Sequence, residues 1–415
     1  MRWTIEDTPE RAAFREEVRG WLREKLPKGW CEAIESGDHA ALDKAREGWD
    51  FLGWSRVIGM SGYGAPLWPK EYGGLSGEPW MQNVVREELA RYRLPTVGVN
   101  ILGVGLAGPT LIAHGNEEQK SRYLQKILTS EEIWCQLFSE PGSGSDLASS
   151  GTRAVRTNGE YIINGQKVWT SIAQLSQFGM LLARTDPDVP KHDGLSYFIV
   201  DMKTPGVDIR PLRQITGSAE FNEVYFNDVR IPAENLVGVE GDGWRVARTT
   251  LMNERVALSG LSLDAAAFMG GTRKDPWGMF VDSIPNREDL RVRQFIAKSY
   301  VEKEVKEITQ FRANMARMSG SQPGPEGGVT KVYNAEFNKW RANGIMNANG
   351  PSSVAWDNGD AAAENRAHAF LRARANSIEG GTTEILKTQM GERLLGLPRE
   401  PEVDKGIPWK EIRRN

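Results

Sequence analysis

The chain has 415 residues, of which 40% are hydrophobic and 26% charged, the balance of an ordinary globular protein with room for two or three domains and sizeable cores. Lys and Arg number 52 against 55 Asp and Glu, a formal net charge of −3, so there is no basic excess of the kind a dedicated nucleic-acid binder carries. Two cysteines, Cys31 and Cys135, cannot build a disulfide framework or a four-cysteine zinc site, and they fit a reducing compartment.

From the N-terminus, Met1-Arg2-Trp3 is followed by the acidic Glu6, Asp7 and Glu10, with no apolar core of a signal peptide. The longest weakly polar stretch, Thr96 to Gly108, is too short and glycine-rich to span a bilayer, so the expected location is cytoplasmic. Residues 1–130 read as a helical domain. Phe14, Val18, Trp21 and Leu22 lie at helical spacing and predict a helix over Arg11–Leu26. A Gly/Pro/Trp-rich loop follows at 61–79, and Asn116 with Gln119 forms a capping-box pattern. Gly103, Gly105 and Gly108 match G-x-G-x-x-G. No strand precedes them and Pro109 follows at once, so the run reads as close-packed helix and not as a nucleotide loop.

Residues 131–242 switch to alternation. Asn158-Gly159 and Asn164-Gly165 are both hairpin signals, because a type I′ turn needs positive φ at both central residues. Strand-like runs follow at Phe178–Ala183, Leu195–Asp201, Val207–Leu212 and Phe221–Ile231. The pattern predicts a compact antiparallel β-barrel or sandwich. Residues 243–400 return to helix, with Trp244–Leu261, Asp289–Met318, Thr330–Asn347 and Gly359–Ser377 forming a domain like a four-helix bundle. Residues 401–415 form a polar tail, expected to be loose. The expected fold class is α+β.

His39, His114, His192 and His368 are scattered without metal-ligand spacing, and no P-loop, H-E-x-x-H or G-x-S-x-G occurs. The informative segment is Trp134 to Asp146, an apolar strand running into Glu140-Pro141-Gly142-Ser143-Gly144-Ser145. Such a turn can offer N–H groups and hydroxyls to an anion or a polar ring edge, or it can be a plain capped turn.

This segment resembles the flavin-contacting signature of the acyl-CoA dehydrogenase family. Gly165-Gln166-Lys167-Val168-Trp169-Thr170-Ser171 resembles the family strand whose Trp packs on the flavin. Ile378-Glu379-Gly380-Gly381-Thr382-Thr383-Glu384-Ile385 with Glu392-Arg393-Leu394-Leu395-Gly396-Leu397-Pro398 resembles its C-terminal signature. The order and spacing match over roughly residues 5–400. The resemblance implies helix–barrel–helix architecture and FAD. It implies α,β-dehydrogenation of an acyl-CoA thioester, in which a glutamate takes the α proton and flavin N5 the β hydride. It also implies an electron-transfer flavoprotein or similar acceptor.

Carried over position by position, Leu137 and Ser139 would meet the isoalloxazine ring, Trp169 would lie against it and Ser171 would approach N5. Gly144 and Ser145 would lie near the flavin and the CoA diphosphate, with Ser145 also touching substrate. Thr382 and Glu384 would contact the nucleotide part of the flavin. Most of the family carry the base where this chain has Gly380, and Glu379 is one residue off and takes no such role. A minority place it just before an arginine on the first helix after the barrel, which here makes Glu254 the base and Arg255 a contact at the CoA end.

Two departures stand out. The R-x-x-F-G motif is replaced by Gly271 to Phe280, and the G-G-x-G loop by Asn347-Ala348-Asn349-Gly350-Pro351. Both motifs serve the cofactor across a subunit interface, and similar departures occur in actinobacterial members that pair with a different subunit. The expected assembly is a homo-oligomer or a heterotetramer with a second dehydrogenase-like subunit, with Arg273 or Arg291 as candidate replacements for the missing arginine. Two alternatives share the fold: an acyl-CoA oxidase or flavin monooxygenase, and a partner subunit without complete catalysis.

Overall fold

The computed structural model describes residues 6–95, 100–254, 276–318 and 327–412. It divides into two compact units, Thr8–Gly270 with Pro401–Asn415, and Met1–Asp7 with Gly271–Glu400.

The larger unit opens with helices α1 (Pro9–Lys25), α2 (Trp30–Ser36), α3 (His39–Ala45), α4 (Phe51–Met60), α5 (Pro79–Arg91), α6 (Gly108–His114) and α7 (Glu117–Leu128). Helix α1 starts where Thr8 accepts from Arg11 N, and it buries Phe14, Val18 and Leu22 against the α5 side of the core, with Val84, Val85 and Leu89. Each such side chain contributes about 1.5–3 kcal/mol on burial. Four of the 14 tryptophans serve this packing: Trp21, Trp30, Trp49 and Trp54 form an aromatic cluster. The capping box of α7 is formed, with Gln119 N donating to Asn116 Oδ1 at 2.8 Å and Asn116 N to Gln119 Oε1 at 3.2 Å. Gly103–Ala107 is a π-helical turn leading into α6, with no strand before it among the described residues. A Cβ on Gly108 would stand 2.0 Å from the Trp68 ring, so this glycine serves close packing.

Seven strands follow: β1 (Trp134–Leu137), β2 (Arg153–Thr157), β3 (Glu160–Ser171), β4 (Phe178–Arg184), β5 (Leu195–Asp201), β6 (Val207–Leu212) and β7 (Phe221–Pro232). Asn158-Gly159 makes the β2–β3 hairpin, with φ of 49° and 83°, as its sequence requires. Asn164-Gly165 does not turn the chain. It lies inside β3 at a register shift against β7, where Asn164 Nδ2 donates to Asp228 Oδ1 and Asp228 N to Asn164 Oδ1, both at 3.0 Å. The expected second hairpin is a β-bulge in one long bent strand.

The expected antiparallel barrel is also corrected. β1 pairs with β4 in parallel, and β2 touches β4 in parallel at Arg153–Arg184. β1 and β2 share one edge of β4 while β5 takes the other, and the sheet continues through β3 and β7 to β6. Among the described residues β5 and β6 are not paired, so the mixed sheet curls without closing. Alternation in a sequence sets which face is buried, not the direction of the neighbouring strand. β4 and β5 are buried on both faces. Leu181, Ala183, Phe198 and Val200 point inside the curl, while Met180, Leu182, Tyr197 and Ile199 pack on α6 and α7.

Helix α8 covers residues 243–254. The tail, expected to be loose, docks on the sheet unit. Trp409 N donates to Val189 O and Lys410 N to Pro187 O. The Trp409 ring lies 4.3 Å from the Arg184 guanidinium, and Lys191 Nζ bridges Asp404 and Asp146.

The second unit contains α9 (Pro276–Asp282), α10 (Leu290–Met318), α11 (Gly327–Asn349), α12 (Ala361–Arg372) and α13 (Thr383–Leu394). Helix α11 packs on α10, α12 and α13. The aromatic rings of Trp277, Phe280, Phe295, Trp340 and Phe337 form a continuous run of ring contacts in this unit, edge-on between Phe280 and Phe295 and stacked between Trp340 and Phe337. The expected break at Gly270-Gly271 lies outside the described residues. Among the described residues no helix is long and apolar enough to cross a membrane.

Candidate active site

The end of β1 is pinned to β3 by a buried ion pair. Lys167 is fully buried, and its Nζ donates to Phe138 O at 2.9 Å and Glu140 Oε1 at 2.8 Å. Glu140 also accepts from Gly151 N at 2.7 Å and Thr152 N at 2.9 Å. Burial alone would raise the Glu140 carboxyl, but the Lys167 charge and these hydrogen bonds outweigh it and hold the group below the usual carboxylate range. Burial drives the Lys167 ammonium below its usual range, with Glu140 opposing.

The turn beyond is closed by Glu140 N to Ser143 O and Ser143 N to Glu140 O, and by Ser143 Oγ donating to Asp146 O at 2.6 Å. Its outer side is open: a Cβ on Gly142 or Gly144 would meet nothing within 4 Å, and Gly144 and Ser145 are exposed. Ser139 is half-buried, while the Leu137 side chain is buried inside the curl, so Leu137 can serve a ligand only through its main chain.

Ser139 O accepts from Val168 N at 2.9 Å, and here β3 leaves its register on β7 between Lys167 and Thr170. At this bulge Trp169 takes φ of 62°, a left-handed conformation rare for a bulky side chain. The effect is to turn its ring outward. Trp169 is 57% exposed and meets Phe221 edge-on at 5.8 Å. Its exposure separates it from the packing tryptophans of the helical layer. Ser171, two residues on, is half-buried, and between them the Thr170 hydroxyl is buried with no hydrogen-bond partner among the described residues.

Glu254 is brought to this region by α8. Val246 and Ala247 bury against the sheet and helices. Thr250 Oγ1 lies 2.9 Å from Thr110 Oγ1 and 3.1 Å from the Tyr197 hydroxyl, and His114 Nε2 lies 2.7 Å from Thr249 Oγ1. One turn after Thr250, Glu254 is half-buried and accepts from Gln136 Nε2 at 3.1 Å. The carboxylate therefore stands beside β1, next to the strand that leads to Ser139. Sequence reasoning assigned no role to Gln136 or to the Lys167–Glu140 pair. The visible signal for Gln136 was a lone amide in the apolar run Trp134-Cys135-Gln136-Leu137. Arg255 and Arg273 lie outside the described residues.

In the second unit Thr382 caps α13, its hydroxyl accepting from Ile385 N at 3.2 Å, and Glu384 is exposed in the first turn. Helix N-termini of this kind favour anions. Gly380 and Gly381 have φ of 61° and 90°, conformations that glycine adopts freely. Glu379 is bound by Arg372 at 2.7 Å and Asn376 at 2.7 Å. Arg291 pairs with Asp289 at 3.0 Å. Among the described residues no group of three His, Cys, Asp or Glu side chains could hold a metal ion.

Comparison with known proteins gives consistent matches. Residues 8–131 match the acyl-CoA dehydrogenase N-terminal domain, 135–229 the middle domain and 241–395 the C-terminal domain. The chain is 37% identical to the acyl-CoA dehydrogenase IpdE1 of Mycobacterium tuberculosis over 401 residues, covering 93% of this chain and 98% of that protein. It is 40% identical to the acyl-CoA dehydrogenase FadE34 of the same organism over 345 residues, 83% of this chain; it spans about half that relative's length, 46%. The solved structure titled Tcur3481-Tcur3483 steroid ACAD superposes with a TM-score of 0.74 at 27% identity, covering 96% of this chain and 100% of that one. The chain belongs to the acyl-CoA dehydrogenase family, a family of flavoprotein oxidoreductases.

Proposed function

We propose that this chain dehydrogenates an acyl-CoA thioester, with Glu254 as the base and FAD as the cofactor. The observation that carries the reading is the placement of Glu254 against Gln136 of β1, at 3.1 Å. That strand ends in the Ser139 turn, and the Trp169 bulge is hydrogen-bonded to it.

The residues present fit FAD. An outward-turned tryptophan ring offers a flat apolar wall, the turn at Gly142 and Gly144 leaves space a side chain would fill, and the buried Thr170 hydroxyl has no hydrogen-bond partner among the described residues. Leu137 through its main chain, Ser139, Trp169 and Ser171 would hold the ring. Gly144 and Ser145 would lie at the diphosphate region; Thr382 and Glu384, which belong to the second unit, are assigned to the nucleotide part by the family resemblance alone. Bound there, FAD supplies a two-electron acceptor for the β hydrogen.

Glu254 takes the α proton of the thioester, and the electron pair of that C–H bond passes toward the thioester oxygen. A carboxylate positioned at the α carbon suits this step, because a placed general base speeds removal of a weakly acidic proton. The Trp169 ring shields the reacting carbons from water. Ser145 and Arg255 would meet the CoA portion.

For the acyl group we favour a bulky ring system. Gly380 puts no side chain where most of the family carry the base, and a relative of similar fold is titled a steroid enzyme. The two altered interface segments and the paired name of that structure support a heterotetramer with a second dehydrogenase-like subunit, passing electrons to an electron-transfer flavoprotein. The test is anaerobic titration of the purified yellow protein with acyl-CoA. Bleaching of the flavin is expected. Rapid hydrogen peroxide formation in air supports the oxidase alternative, and a colourless protein supports a non-catalytic subunit.

A further inference from the structure

We propose that Gln136 is the positioning residue of the base: its side-chain amide holds the Glu254 carboxylate in line for the substrate's α carbon. The proposal rests on the assignment of Glu254 as base.

Gln136 shares a face of β1 with Trp134 and Phe138, both of which belong to the apolar layer between the sheet and the helices. Cys135 and Leu137 point the other way, into the curl. An amide on the apolar face is unfavourable unless it is hydrogen-bonded. The partner it finds is 118 residues away in sequence, Glu254 Oε2 at 3.1 Å. β1 is held rigidly, paired with β4 over its whole length and tied through Lys167 at its end. The donor is therefore a fixed point, while Glu254 has three side-chain torsions between its carboxylate and the helix. The hydrogen bond orients one carboxylate oxygen without taking its charge.

The geometry suits both states of the base. The ionised carboxylate accepts the Gln136 N–H. When the α C–H bond breaks and the proton joins one carboxylate oxygen, the other oxygen still accepts the same N–H. An apolar residue at 136 would leave the base on the helix without this donor, and misalignment at a reacting group costs on the order of 100-fold in rate.

The experiment isolates the proton step. The holoenzyme is incubated in D2O with 3,3-dimethylbutanoyl-CoA, which has α hydrogens but no β hydrogen to give up, and α-deuterium uptake is followed by mass spectrometry. Gln136→Met matches the length and apolar volume without the amide. It is expected to slow exchange roughly 10- to 100-fold with FAD content and thermal midpoint unchanged, and Gln136→Asn to recover part of the rate. Wild-type exchange in Gln136→Met would overturn the proposal. Loss of exchange with loss of FAD, and no recovery in Gln136→Asn, would also overturn it in favour of a structural role. Glu254→Gln is the control: if it still exchanges, the base assignment fails, and if it does not while Gln136→Met exchanges normally, only the role of Gln136 fails.

Discussion

Glu140→Gln should destabilise this protein more than Lys167→Met, although both break the same ion pair. Lys167 has no exposed side-chain surface, and the Glu140 side chain retains 13%. In Glu140→Gln the ammonium keeps Phe138 O at 2.9 Å but loses its counter-charge in a dry site. Removing one partner of a buried pair in this way costs about 3–5 kcal/mol. In Lys167→Met the carboxylate keeps Gly151 N at 2.7 Å and Thr152 N at 2.9 Å and some water, so the loss is closer to a charged hydrogen bond, about 2–3 kcal/mol. The double variant should be more stable than the two losses added, because no charge is stranded. Because the folded-state pKa of Glu140 is lowered, its contribution is complete above the unfolded value of about 4.3 and fades as pH falls through the lower folded value. The assay is urea unfolding of the holoprotein, followed by tryptophan fluorescence and flavin release, comparing midpoints at equal slope. Single variants within about 0.5 kcal/mol of wild type, or strict additivity in the double, would refute the reasoning.

Other predictions follow from single contacts. Trp169→Ala should reduce FAD retention and alter the flavin absorbance, since the ring is 57% exposed and not part of the buried core; unchanged flavin content would place it outside the site. Trp409→Ala should cost roughly 2–3 kcal/mol for the lost guanidinium stacking and the lost hydrogen bond from the indole Nε1 to Ser149 O at 3.1 Å, and should speed proteolytic cleavage between residues 401 and 412; wild-type cleavage would show that the tail is held elsewhere. Expressed alone, this chain should hold less than one FAD per subunit, restored by co-expression with a second dehydrogenase-like chain. One tightly held FAD per chain in a homo-oligomer would overturn the heterotetramer.

Elements with a local signal were legible in the sequence. Helix α1 followed from Phe14, Val18 and Leu22, the start of α7 from Asn116 and Gln119, and the β2–β3 hairpin from Asn158-Gly159. Asn164-Gly165 carried the same dipeptide but became a bulge, because Asn164 reaches across to Asp228 on β7, a partner the local sequence does not name. The parallel β1–β4 pair and the open curl were illegible for the same reason, since strand direction is settled by long-range pairing. The docked tail was read as loose from its polarity; its anchors are Arg184 and Lys191, more than 200 residues away. Within the site, Trp169 was identified by resemblance, but the bulge that exposes it was not, because a positive φ on tryptophan has no compositional signature. Gln136 was visible as a lone amide in an apolar strand, and only the fold supplied Glu254 as its partner.

The proposed dehydrogenation depends above all on Glu254. Glu254→Gln keeps the shape of the side chain and removes the base. Stopped-flow reduction of the flavin by acyl-CoA, under anaerobic conditions and at matched FAD content, should be slowed roughly a thousandfold, within the 10²–10⁴ that a positioned base contributes. Near-normal reduction by that variant would contradict the assignment.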